Sequence, residues 1–172
     1  VWKKRVRVYL PPWFCGRLLQ ITDEIRRRTQ FRYEGDLLVD VVHTDEGITH
    51  FEYDENGHIS SVTDQNGSCY LENEYDVKGR ITRQNFSSGV YQIFTYDDIH
   101  HRNTIYYSET GKTEIYEYNN RFLKERVIYE DGSFQTYQYS DDNLKVGEIS
   151  RLGSRKEWEY DAYGRSIREK FP

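Results

Sequence analysis

Along most of this chain, pairs of aromatic residues stand one polar residue apart, and the pair returns about every 21 residues. The triplets are Phe31-Arg32-Tyr33, Phe51-Glu52-Tyr53, Phe94-Thr95-Tyr96, Tyr116-Glu117-Tyr118, Tyr137-Gln138-Tyr139 and Trp158-Glu159-Tyr160. Asn73-Glu74-Tyr75 keeps the tyrosine but replaces its partner. The last tyrosines follow one another at 20, 22, 21, 22, 21 and 21 residues. Side chains two apart on a strand share a face, so each triplet predicts a strand with an aromatic inner face and a polar outer one.

Turn chemistry falls at fixed offsets from that stripe. About seven residues ahead of an anchor tyrosine stands a glycine: Gly47, Gly67, Gly89, Gly111, Gly132 or Gly153. Such glycines after Asn or Asp favour turns with φ > 0 of the kind that match hairpin twist. A second turn follows the anchor in YDENG, YDVKG and YDAYG. There Asp54, Asp76 and Asp161 can accept backbone N–H groups, and Gly57, Gly79 and Gly164 can turn left-handed. Each period therefore reads as one antiparallel hairpin of two strands of roughly seven residues. A lone hairpin is marginal in water, so the hairpins must pair side by side. The expected fold is all-β: about fourteen strands in one long, curved, open meander. Residues 16–172 form the repeat region. Residues 1–15, with Pro11 and Pro12, do not fit the pattern and are expected to be an edge or connecting segment.

Composition refines this picture. Only 36% of residues are hydrophobic, but 16 Tyr, 8 Phe and 3 Trp supply broad, half-polar burial. An extended layer is expected rather than a two-layer globule. No apolar run reaches the length of a membrane helix, and the formal charge of −5 argues against a dedicated nucleic-acid surface. The basic runs at Lys3 to Arg7 and Arg26 to Arg28 split between strand faces and read as solvated, edge-guarding charge. Cys15 and Cys69, 54 residues apart, make no disulfide framework and read as two free thiols. His43, His50, His58, His100 and His101 have no zinc spacing, and His100-His101 reads as a solvated turn. Asp54, Asp76, Asp97 and Asp161 recur with the period, which marks a structural task, since a catalytic group is needed once. No nucleophile elbow, phosphate loop or dinucleotide fingerprint is present. No catalytic, cofactor or metal residues are assigned, and no enzyme is expected.

The phrase Tyr-Asp-x-x-Gly-Arg-Ile at Tyr75 to Ile81, opened again at Tyr160 to Arg165, resembles the YD repeat of Rhs proteins. Wall-associated proteins, insecticidal toxin complexes and teneurins share that repeat. The stretch from Gly16 to Leu38 reads as a degenerate copy. Tyr118-Asn119 and Tyr139-Ser140 lack the aspartate, the repeats from Tyr96, Tyr118 and Tyr139 lack the following glycine, and Tyr33-Glu34-Gly35 is shortened. The resemblance implies a spiralling β-shell that encloses a C-terminal toxin or effector domain in a secreted or delivered bacterial protein. The family's self-cleavage region is missing, since no Asp-Pro occurs.

A domain of about 100 residues needs a surrounding sheet roughly 170 Å around, whereas fourteen strands at ~4.8 Å span about 67 Å. This chain is then an arc of wall, a piece of a longer parent whose remainder and payload are its partners. The alternative is an aromatic hairpin module that binds glycans at a cell surface, although Trp2, Trp13 and Trp158 are not periodic. A hydrolase hidden among the carboxylates is the third and weakest reading, for want of any non-repeating constellation.

Overall fold

The computed structural model describes residues 7–9 and 16–171. Every regular element among them is a β-strand, and strand order in the sheet is chain order. The fold is thus an all-β open meander. The chain divides into two compact units, 1–91 and 92–172. In the first, β1 is Arg7–Tyr9, β2 Gln20–Thr22, β3 Arg28–Glu34, β4 Leu37–Val42, β5 Ile48–Tyr53, β6 Ile59–Thr63, β7 Cys69–Tyr75 and β8 Ile81–Phe86. The second carries nearly all of β9, Tyr91–Asp97, then β10 Arg102–Tyr107, β11 Lys112–Tyr118 and β12 Lys124–Tyr129. It continues with β13 Phe134–Tyr139, β14 Lys145–Ile149, β15 Arg155–Tyr160 and β16 Ser166–Lys170.

Strands β3 to β16 are the fourteen counted from the period. Two more, β1 and β2, precede them, with Arg7 opposite Thr22. The rest of the 1–15 segment, including Trp2, Pro11, Pro12, Trp13 and Cys15, lies outside the described residues. Cys69 is a free, exposed thiol.

Burial follows from having one layer. Among the described residues strands contact only strands next to them in the sheet, and a single sheet can cover a side chain only with such lateral neighbours. Among the described residues the buried apolar side chains are Val62 and Val127, each 3% exposed. Val62 lies opposite Phe51 on one side and Leu71 on the other. Val127 lies likewise between Tyr116 and Gln135. Both are small residues flanked by longer ones, which close over them.

The ladders carry one repeated irregularity. Glu52 pairs with Ser61 but Tyr53 with Ile59, so Ser60 is left over as a bulge. The same shift occurs at Tyr33, Tyr75, Tyr118, Tyr139 and Tyr160. A bulge leaves one residue unpaired and strengthens the local twist.

Candidate functional site

The turns set the period. Among the described residues, eleven close with one pair of backbone bonds. In the turn of Asp54, its N–H donates to His58 O at 2.9 Å and Gly57 N–H donates to Asp54 O at 3.0 Å. That is a three-residue loop ending in a left-handed residue. The slot is glycine in most copies, as at Gly57, Gly79 and Gly164, with φ of 82°, 75° and 75°. Where the sequence lacks glycine the slot persists: Phe122 and Asn143 hold it at φ 59° and 63°. His101 is left-handed too, at φ 51°, in the longer turn after Tyr96.

Gly47 departs from expectation. Its neighbour Glu46 is the left-handed residue, at φ 69°, and Gly47 is not. Glycine is needed there for space, since a Cβ would stand 2.7 Å from the Cβ of Gln65. Of the other glycines singled out from sequence, Gly67, Gly89, Gly111, Gly132 and Gly153 all have positive φ.

The aspartate that opens the turn uses both oxygens. Asp76 Oδ1 accepts N–H from Lys78 at 2.8 Å and Arg80 at 3.0 Å, while Oδ2 takes Arg80 Nε at 2.9 Å. Asp161 with Arg165, and Asp23 with Arg27, repeat this arrangement. Asp54 does so with His58, whose Nδ1 lies 3.0 Å from Oδ2. The side-chain bond from His58 holds the Asp54 carboxyl below the usual range, and the backbone N–H of Arg80 does the same for Asp76. The arginine of Tyr-Asp-x-x-Gly-Arg is thus the partner of its aspartate. Sequence reasoning passed over Arg27, His58, Arg80 and Arg165, although a cation four residues after each aspartate was the available signal.

The inner stripe is half-buried along its whole length. Phe31, Tyr33, Phe51, Tyr53, Asn73, Tyr75, Phe94, Tyr96, Tyr116, Tyr118, Tyr137, Tyr139, Trp158 and Tyr160 share that environment, while Arg32, Glu52, Glu74, Thr95, Gln138 and Glu159 between them are exposed. Glu117 is half-covered because Arg102 and Arg126 flank it at 2.5 and 3.5 Å.

A bulge leaves backbone to be satisfied, and at four of them the next tyrosine supplies the bond. Tyr53 OH donates to Leu38 O at 2.6 Å, and Tyr75 OH to Ile59 O at 2.6 Å. Tyr139 OH reaches Lys124 O at 2.9 Å, and Tyr160 OH reaches Lys145 O at 2.8 Å. Tyr33 OH binds Leu18 O at 3.0 Å. Leu38, Ile59, Lys124 and Lys145 are themselves the residues opposite Tyr33, Tyr53, Tyr118 and Tyr139. Tyr53, Tyr75, Tyr139 and Tyr160 therefore each cap the bulge that the previous anchor faces. Asn73 joins the same node: its Nδ2 donates to Ile59 O at 3.0 Å, and its Oδ1 accepts from Gln84 at 2.9 Å.

In the second unit the stripe is threaded by cations. Lys124 Nζ lies 5.5 Å from the Tyr116 ring centroid and 4.6 Å from that of Tyr137. Lys145 lies 5.9 Å from Tyr137 and 4.1 Å from Trp158. Contacts of this kind are worth ~0.5–1 kcal/mol each when exposed. Around them Tyr116 OH donates to Glu114 at 2.6 Å, and Glu148 accepts from Gln135 and Lys145 at 2.7 and 2.9 Å. Burial pushes the Tyr107, Tyr116, Tyr129, Tyr137 and Tyr139 hydroxyls above their ordinary pKa.

Arginines also join turns one period apart. Arg121 Nη1 donates to Ser140 O and Asp141 O, both at 3.0 Å, and Arg151 pairs with Asp131. Ser133, through its hydroxyl and then its backbone N–H, and Arg151 hold the Asp131 carboxyl at about 2. His100 pairs with Asp97 at 2.7 Å while His101 stacks on Phe122, so the two rings serve different neighbours. Among the described residues no three metal-binding side chains gather.

Residues 14–74 match a family model described as the teneurin YD-shell. No curated protein matches the sequence. Among solved structures, a mutant of the Photorhabdus luminescens Tc holotoxin pore aligns over 85% of this chain and 9% of its own, with TM-score 0.57 and 12% identity. TcdB2-TccC3 without its hypervariable C-terminal region aligns over 96% of this chain and 11% of its own, with TM-score 0.57 and 14% identity. TcdB2-TccC3 itself aligns over 91% and 10%, with TM-score 0.56 and 15% identity. At such identity the likeness concerns the fold. This chain spans about a tenth of the length of those chains. The YD-repeat resemblance read from Tyr75 to Ile81 thus has a sequence match in the first repeats and a structural match along most of the chain.

Proposed function

We propose that this chain is a non-catalytic stretch of wall in a YD-repeat shell. Its partners are the rest of its parent chain and a C-terminal toxin or effector domain held on the stripe side, in a secreted or delivered protein. The observation that carries this reading is the hydroxyl-to-carbonyl series from Tyr33 to Tyr160. Five of the seven anchor tyrosines bond back to the preceding strands by the same device, which lets a sheet extend one period at a time. A wall must do that, and an active site has no use for it.

The test uses the full-length parent, by limited proteolysis with mass measurement of the fragments. A payload that resists digestion until the repeat region is cut is the expected result. A parent with no further repeats, or a payload digested at the same rate with and without them, overturns the proposal.

A further inference from the structure

The proposed function leaves the two basic runs unused, and the fold sets Arg7, the last residue of one, in the same lateral row as Arg28, the last of the other. Arg7 of β1 is in register with Thr22 of β2, and Thr22 with Arg28 of β3. The ends of two runs about twenty residues apart in sequence thus share one lateral row, with strands ~4.8 Å apart. On the face away from the stripe, an open groove is lined by Arg26, Arg27, Arg28 and Arg32 together with His43 and Glu46. Arg27 is committed to Asp23 at 2.7 Å, and Arg32 stands 3.6 Å from Asp40. Asp40 is itself shared with His50 at 2.7 Å. Among the described residues, Arg26 and Arg28 pair with no carboxylate.

Four guanidinium groups against the carboxylates of Asp23, Asp40 and Glu46 leave this patch net positive, with Arg26 and Arg28 as its uncompensated charges, in a chain of formal charge −5. Salt screens charge beyond ~8 Å at physiological strength, so the acidic remainder does not cancel it. Planar guanidinium forks match the oxygens of phosphate and sulfate.

We propose that this groove is a binding site for a phosphate or sulfate ester, gripped by Arg26 and Arg28 and supported by Arg32. The proposal is independent of any shell, since it concerns the opposite face of the sheet.

The test is a chemical-shift titration of the 172-residue chain with inorganic pyrophosphate and, separately, with a sulfated disaccharide. Saturable shifts confined to Arg26–Arg32 and the 43–47 turn are expected with at least one probe; the tighter probe identifies the ester. The double variant Arg26→Gln, Arg28→Gln should weaken binding roughly tenfold or more through the loss of two charge-assisted bonds. Arg28→Lys, which keeps the charge and loses the fork, should weaken it less but measurably. Arg155→Gln with Arg168→Gln, in the second unit, should change nothing. Shifts that do not saturate with either probe overturn the site. So does a double variant, folded by circular dichroism, that binds like the parent chain or no worse than the Arg155, Arg168 control.

Discussion

The two units build one backbone device from different side chains. In 1–91 the residues opposite the anchors are Leu38, Ile59 and Ile81, and the stripe around them is Phe31, Val41, Phe51, Val62, Leu71 and Phe86. In 92–172 the residues opposite the anchors are Asn103, Lys124, Lys145 and Ser166, and the stripe around the two lysines is Tyr107, Tyr116, Val127, Tyr129, Tyr137 and Trp158 with Glu114 and Glu148. Bulge, left-handed turn residue and tyrosine bond survive the exchange. Their geometry depends on backbone groups, which are identical in both units. The stripe needs only cover, which aliphatic chains supply by area and lysine stems supply by lying across rings.

A swap at the position opposite the anchor has the largest expected effect. Ile59→Lys puts a charge into an aliphatic setting and should cost about 2 kcal/mol, whereas Lys145→Ile should cost less than ~1 kcal/mol. Urea unfolding measures both, and equal costs would mean that the units do not differ in kind. Next come the turns. Gly79→Ala meets a left-handed φ of 75° and places its Cβ 2.7 Å from His58 Nε2. It should lose about 2 kcal/mol. Phe122→Gly, relieving the same conformation, should gain about 1 kcal/mol. Thermal melts of the pair read out both signs.

The hydroxyl bonds are finer. Tyr53→Phe should cost about 1 kcal/mol. Tyr75→Phe should cost less, because Ile59 O keeps the Asn73 amide. A double variant with Asn73→Ala restores the full loss if the shared node is real.

The last contrast is alkaline. Burial raises five tyrosine hydroxyls in the second unit, and Tyr53 in the first. A raised folded pKa gives stability that is complete below the unfolded value near 10 and drains as pH climbs towards the folded one. Hydrogen exchange between pH 9 and 11 should therefore find the second unit loosening first. Loss of protection in the first unit at the same or lower pH would count against it.

Period, strands and stripe were legible because they are local: alternation about a strand and the chemistry of Asp and Gly act within a few residues. Even the pattern's exceptions kept their places, as Phe122 and Asn143 did in the glycine position. Contacts that span a period were not legible. Nothing local says that a tyrosine hydroxyl will find a carbonyl 15 or 16 residues back, or that Asn73 will share it. Nor does local chemistry tell that Glu46, not Gly47, takes the left-handed slot of the loop closed by His43, while Gln65 from the neighbouring turn leaves no room for a side chain at position 47.

By itself, then, the sequence determined the repeating hairpin, its inner face and the positions of its reversals. The tertiary structure alone decided which bulge each tyrosine caps, which rings hold a lysine and which arginines meet across strands. The reason is register: it fixes contacts between residues some 15 to 20 apart, and it emerges only when all the hairpins are paired.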